Sequence, residues 1–316
     1  HIDEDGNDTP AILIPNCTAD NRAVNLPEFL NASYDALDSI DVPAVRHHEQ
    51  LWQGQMAMNQ KNWSQAIEYL QGALEDEPEF TNARVTLGTA FVAMGQMDEA
   101  IKQFRLAQQD NPYDFGANLE LGRALLHTKR PDQAIRYLKK ALAIVPNHEE
   151  SRRALVTAYQ DLGRLDEAVV HAEKLLMAVP EDGEVERILA GWLLRLGRAR
   201  EAIPHLTRAV ELVPDDPKIP TELAWHLATH PDAEVRNGIR GIQAAERAVE
   251  LTQGERPEPF DALAAALAEA GRFEDAVKAG QRGLELARRK TPGLVPDLQA
   301  RVTLYRKHQP YRAPVR

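Results

Sequence analysis

A proline recurs at Pro78, Pro112, Pro146, Pro180 and Pro214, each 34 residues after the last, and an alanine keeps the same interval at Ala66, Ala100, Ala134, Ala168 and Ala202. Two residue types locked to one period leave few folds open. Self-similarity at this spacing marks a stack of supersecondary units, each of which buries its apolar faces only against its neighbours. The chain therefore reads as an elongated array without a single globular core.

Residues 81–114 show the unit most clearly. Leu87, Gly88 and Phe91 share one face of a first helix, helix A. Gly95 supplies the left-handed turn that ends it. Asp98 is the expected N-cap of a second helix, helix B, which carries Ala100, Phe104 and Ala107 on one face. Asn111-Pro112 stops helix B. Gly88 and Ala100 let the two helices approach closely, and Phe91 and Phe104 fill the layer between them. The same skeleton recurs as Gly54, Ala66, Leu70, Ala73 and Pro78; as Leu121, Gly122, Leu125, Ala134, Leu138 and Pro146; as Leu155, Tyr159, Gly163, Ala168 and Pro180; and as Leu189, Leu193, Gly197, Ala202, Leu206 and Pro214. Pro204 is expected in the first turn of its helix B, where a missing N–H costs little.

Leu-Gly, then Tyr or Phe, then Ala, an aromatic or Leu, Ala and a closing Pro over 34 positions resembles the tetratricopeptide repeat. The resemblance covers residues 47–216. It implies an all-α, right-handed α-solenoid of about seven antiparallel helix pairs with helical caps. It also implies a concave face, lined by helix A, that binds protein segments.

The expected organisation runs outward from this array. Residues 1–26 read as an extended arm, acidic at its start and apolar between Pro10 and Pro15. Residues 27–46 hold an amphipathic capping helix and a lead-in. After the five regular units of 47–216, a sixth over 217–256 has a turn lengthened across Thr229–Gly238, with helix B from Gly241 to Leu251. A seventh unit follows over 257–290, and a last helix of about 294–307 lies within a closing part, 291–316. The stretch from Glu222-Leu-Ala-Trp to Leu304-Tyr-Arg-Lys-His-Gln-Pro-Tyr-Arg312 resembles the closing segment of certain bacterial tetratricopeptide proteins. In those it often ends a larger chain with a membrane glycosyltransferase or a sulfatase-like part.

Composition narrows the partner. The net charge of −11 disfavours nucleic acid, which needs a basic face to displace phosphate counterions. No stretch approaches the roughly 18 apolar residues of a membrane span. Cys17 is the only cysteine, so neither an internal disulfide nor a thiolate metal cage can form. His1 in place of a methionine implies a removed signal segment or a fragment. The first of these favours a periplasmic or extracytoplasmic location, and otherwise the cytoplasm is expected. Asn-x-Ser/Thr triplets at Asn7, Asn16, Asn31 and Asn62 matter only on a eukaryotic secretory route.

No catalytic constellation emerges, and the expectation is a non-enzyme without a cofactor. Asp3, Asp5 and Asn7 alternate like the start of a calcium loop, but Gly6 comes one place early and Ile14 stands where a bidentate Glu belongs. His1 with Asp3 and Asp5 is thus a weak metal candidate. His226 and His230 are four apart on a helix, yet no Glu lies between them and Pro231 follows.

The usable surface is the groove. The resemblance places Leu51, Met58, Val85, Thr89, Val92, Leu119 and Leu126 there as an apolar stretch, followed by Arg123, Arg153, Arg187 and Arg195. Guanidinium forks suit carboxylates, so these arginines favour a partner segment with acidic groups. The competing expectation pairs Arg153 and Arg187 with Glu150 and Glu184 on their own helices. Leu51 and Gln55 occupy the places of the family's chaperone-binding Lys and Asn clamp, so that specificity is not transferred. Three functions follow in order: a protein-interaction scaffold or adaptor; the accessory, substrate-presenting part of a glycosyltransferase or sulfatase-like system, within a membrane-associated complex; and a periplasmic metal-handling protein.

Overall fold

A computed structural model describes residues 43–314. The arm, the capping helix, Cys17, His1, Asp3 and Asp5 lie outside the described residues. Among those described, all regular structure is helical. The chain divides into two compact units, with the boundary between Pro112 and Tyr113. The first unit holds α1 (Pro43–Asn59), α2 (Trp63–Asp76), α3 (Thr81–Ala93) and α4 (Met97–Asp110). The second holds α5 (Phe115–His127), α6 (Pro131–Ile144), α7 (Glu149–Asp161), α8 (Leu165–Ala178), α9 (Gly183–Arg195), α10 (Ala199–Leu212), α11 (Lys218–Thr229), α12 (Gly238–Leu251), α13 (Pro257–Glu269), α14 (Phe273–Lys290) and α15 (Val295–Arg306). Within each unit, successive helices pair A with B, and each B helix packs on the next A. This is the all-α solenoid architecture.

Two features of the period explain why the pairs close. The first is size complementarity. A Cβ built on Gly88 would sit 2.4 Å from Phe104, one on Gly122 2.6 Å from Leu138, and one on Gly54 2.7 Å from Leu70. The large partners Leu70, Phe104 and Leu138 are fully buried. In the fourth repeat the equivalent positions carry Val156 and Ala172, so the bulk moves from helix B to helix A. The second is the turn. Residues 61, 95, 129, 163 and 197 all have positive φ, between 59° and 74°. Glycine takes three of these places, but Lys61 and Lys129 hold the same left-handed conformation at the cost of Cβ crowding.

A third periodic device is not evident from the apolar pattern. Six residues after Pro78 and Pro146 stand Arg84 and Arg152, each donating a guanidinium N–H to the carbonyl of that proline. The loop that follows one helix B is thereby tied to the next helix A. The equivalent Asn118 donates to the Asp114 carbonyl at 2.7 Å, and Glu186 pairs with His205 at 2.5 Å.

Three local expectations are corrected. The N-cap position of α4 is Gln96, so Asp98 lies in the first turn, where its charge still complements the helix N-terminus. Helix α10 begins at Ala199, so Pro204 lies past the first turn and removes one helical hydrogen bond. In the sixth repeat, α12 begins at Gly238, three residues before the expected Gly241, because the Asn237 side chain caps it by accepting from Arg240 N at 3.0 Å.

The lengthened turn, residues 230–237, is packed against the rest of its unit. Val235 is buried. Arg236 donates to the His230 and Pro231 carbonyls at 2.9 and 2.8 Å and pairs with Glu269 at 2.9 Å. Beyond α14, a short 3-10 turn (Pro292–Leu294) leads into α15, which packs on α13 and α14.

Candidate functional site

The expected groove residues divide by unit. In the first, Leu51, Met58, Val85 and Thr89 are half-buried on α1 and α3, and Val92 is exposed. The Thr89 hydroxyl donates within its own helix to the Val85 carbonyl. In the second, Leu119 is buried and contributes to the core rather than to the surface, whereas Leu126 keeps part of its side chain exposed.

The arginines of the second unit are half-exposed, and three already hold carboxylates. Arg123 pairs with Glu120 at 3.2 Å and with Glu150, one repeat on, at 2.7 Å. Arg153 pairs with Glu149 at 2.9 Å and with Asp182 of the next repeat. Its expected partner Glu150 is thus taken by Arg123, because a carboxylate on the following helix A lies within reach. Arg187 pairs with Glu184 at 2.6 Å, three residues earlier. Asp182 also caps α9 through Val185 N. Burial pushes its carboxyl pKa up, but Arg153 and the N–H groups of Val185 and Glu184 outweigh that and hold it below the usual range. Arg195 is exposed and forms no ion pair among the described residues.

The face these arginines occupy continues into a cavity of about 380 Å³. One period beyond Arg187 stands Thr221, and Lys218 and Trp225 lie one turn to either side of it on α11. All three line the cavity, as do Glu258 and Asp261 of α13, which occupy the same helix-A positions as Lys218 and Thr221. The cavity is therefore the helix-A face of the sixth and seventh repeats, closed on one side by Leu294 and Arg301. Extending the 34-residue count one repeat beyond Arg187 would have found Thr221, with Trp225 one turn further on; the closing contribution of Arg301 has no such signal.

Its electrostatics are internally matched. Arg301 makes a two-pronged contact with Asp261, at 2.9 and 2.7 Å, and its guanidinium lies 5.1 Å over the Trp225 ring. Burial pushes the Asp261 carboxyl up while Arg301 pulls it down. Glu222 is also raised by burial, and it feels the Arg187 charge from the neighbouring repeat. This places the arginine row next to the cavity. The ring of His226, on the same helix, is desolvated and further discouraged from protonation by His230, so its pKa falls to about 4. Among the described residues, no group of three or more His, Cys, Asp or Glu side chains is placed to hold a metal ion. No helix among them is long and apolar enough to cross a membrane.

Family comparison fits this geometry. Two tetratricopeptide repeat family descriptions match, one over residues 51–115 and 85–149, the other over 125–191. Residues 51–191 are tetratricopeptide repeats. No curated protein matches its sequence. Among solved structures, MamA of AMB-1 is similar, with 26% identity and a TM-score of 0.50, over 54% of this chain and 93% of that one. MamA from residue 41 to its end, from Desulfovibrio magneticus RS-1, shares the fold at 20% identity and a TM-score of 0.50, over 55% and 99%. An RS-1 MamA double mutant does so at 20% and 0.51, over 55% and 97%. By these repeats, the chain belongs with protein-interaction scaffolds.

Proposed function

We propose that the protein is a non-catalytic scaffold whose second unit binds a segment of a protein partner along helix A of successive repeats, with one partner side chain inserted in the cavity beside Trp225. The observation that carries this reading is the coincidence of the cavity with the helix-A positions that stacking leaves open, at Lys218, Thr221 and Trp225. A concave site of a few hundred Å³ with an aromatic wall and a few convergent polar groups is the usual form of a binding site.

The arginine row gives the partner a chemistry. An acidic segment would exchange its carboxylates for Glu149, Glu150 and Glu184, which are exposed and hold their arginines only loosely in solvent. Such an exchange adds selectivity and encounter rate more than affinity.

The test isolates a partner from native cells and compares its binding to the wild type, to Thr221→Arg and to Arg153→Glu with Arg187→Glu, with melting curves as folding controls. Thr221→Arg fills the cavity and is expected to weaken binding at least tenfold. The charge reversal is expected to remove most of the salt dependence. A partner that binds all three proteins equally, with the same salt dependence, sinks the reading.

A further inference from the structure

The lengthened turn of the sixth repeat and the segment after α15 form one site. The Lys307, His308 and Gln309 amides donate to the Leu304 and Tyr305 carbonyls, with His308 at φ 58°, and the chain reverses. From Gln309 onward it is non-helical and runs back to α11. Tyr311 lies against Trp225, ring centroids 5.8 Å apart, and the Arg301 guanidinium sits 5.4 Å over the Tyr311 ring. Arg312 reaches Glu269, 2.6 Å from Oε2, in an ion-pair contact without hydrogen-bond alignment. Ala313 N donates to the Thr229 carbonyl at 2.8 Å.

These contacts meet the end of α11, where helical carbonyls lack intrahelical donors. Asn237 N takes the Leu227 carbonyl at 2.8 Å, Arg312 approaches that of Ala228 at 3.4 Å, and Ala313 N takes that of Thr229. A turn of ordinary length would bring helix B directly across these groups. The lengthened turn instead leaves room for an extended strand, and it supplies Arg236, which shares Glu269 with Arg312. Stacking of the seventh repeat requires α15 but not residues 309–314.

The contacts read three features in a row: an aromatic ring against both Trp225 and Arg301, a guanidinium at Glu269, and a backbone N–H at Thr229. We infer that this platform is a recognition site for an extended peptide carrying an aromatic residue followed by arginine, filled here in cis by Tyr311-Arg312. A partner segment of that chemistry takes the site when the chain's own segment leaves. The cis segment competes at an effective concentration on the order of millimolar, so binding in trans is masked in the wild type. The site shares Trp225 and Arg301 with the cavity, but Thr221 takes part in none of these contacts, so Thr221→Arg tests the cavity reading separately.

The experiment uses the full chain carrying Tyr311→Ala and Arg312→Ala, with a labelled peptide of the sequence of residues 307–314. The released variant is expected to bind the peptide at least about tenfold more tightly than the wild type, from the cis competition above. A peptide with alanine at both recognition positions is expected not to bind. In the wild-type chain, excess peptide should also speed hydrogen exchange at the Ala313 amide, a readout that needs no variant to fold. If a folded released variant ignores the peptide or does not distinguish it from its alanine version, or if Ala313 exchange stays unchanged at high excess, the segment is a structural strap only and the inference fails.

Discussion

The third to fifth repeats and the sixth and seventh bury different things. In the former, the layers between helices are mainly aliphatic with Tyr159 and Trp192; Arg152 and Glu186 are buried singly, on a carbonyl and on His205, and most other charges stay on exposed faces in pairs one turn or one repeat apart. In the latter, Asp261 with Arg301, and Glu269 with Arg236, are largely buried, and the half-buried Arg312 adds to Glu269. Regular stacking rests chiefly on size complementarity, which neighbouring repeats reproduce. Where the period breaks, size matching gives no unique register, and satisfied charges fix the geometry instead. Such networks specify one arrangement at a cost in tolerance, because removing one member leaves the others uncompensated.

The contrast can be broken most severely at Glu269. Glu269→Gln leaves two arginines competing for a neutral amide, and a loss of about 3–5 kcal/mol in urea unfolding is expected. The pH dependence sharpens the same point. His226 has a folded pKa of about 4, below its ordinary 6.5, so the unfolded chain takes up the proton first as the pH falls. Its contribution is intact above about pH 6.5 and is lost progressively towards pH 4, amounting to about 3 kcal/mol over the window. Unfolding of the wild type at pH 7 and pH 4.5, against His226→Gln, should show a flatter profile in the variant.

In the regular region, Gly122→Leu forces side-chain atoms into Leu138. It should destabilise by about 1–3 kcal/mol, read as a shift of the urea midpoint at constant slope. The smallest effect is a gain. Lys129 holds a left-handed conformation that glycine holds in the following two repeats, so Lys129→Gly should stabilise by about 1 kcal/mol. A loss there would mean that the lysine side chain makes a compensating contact.

Helix identity, repeat pairing and the left-handed turns were legible because each rests on local chemistry repeated in phase. The closing proline, the glycine turn and the apolar face at Leu87, Gly88 and Phe91 all lie within one 34-residue window. Most of what the sequence withheld was non-local. Arg153 chose Asp182 and Glu149 over Glu150 because the neighbouring helix presents its own carboxylate. Leu119 occupies a nominal groove position yet is buried. The cavity required knowing that α15 returns across α13, which places Arg301 on Asp261 forty residues away in sequence. The earlier start of α12 turned on a single capping asparagine, Asn237, within a turn that reads only as irregular.

The glycine–bulk matching has a consequence for how such a gene can change. Gly122 and Leu138 belong to one repeat, and so do Val156 and Ala172 at the same two positions. A recombination joint at the closing proline moves a matched pair intact. A joint at the turn between helices A and B would set Gly against Ala, leaving a void, or Val against Leu, forcing a clash. The heritable module of this array is therefore bounded by its prolines, and exchange within a helix pair meets a steric barrier that exchange of whole pairs avoids.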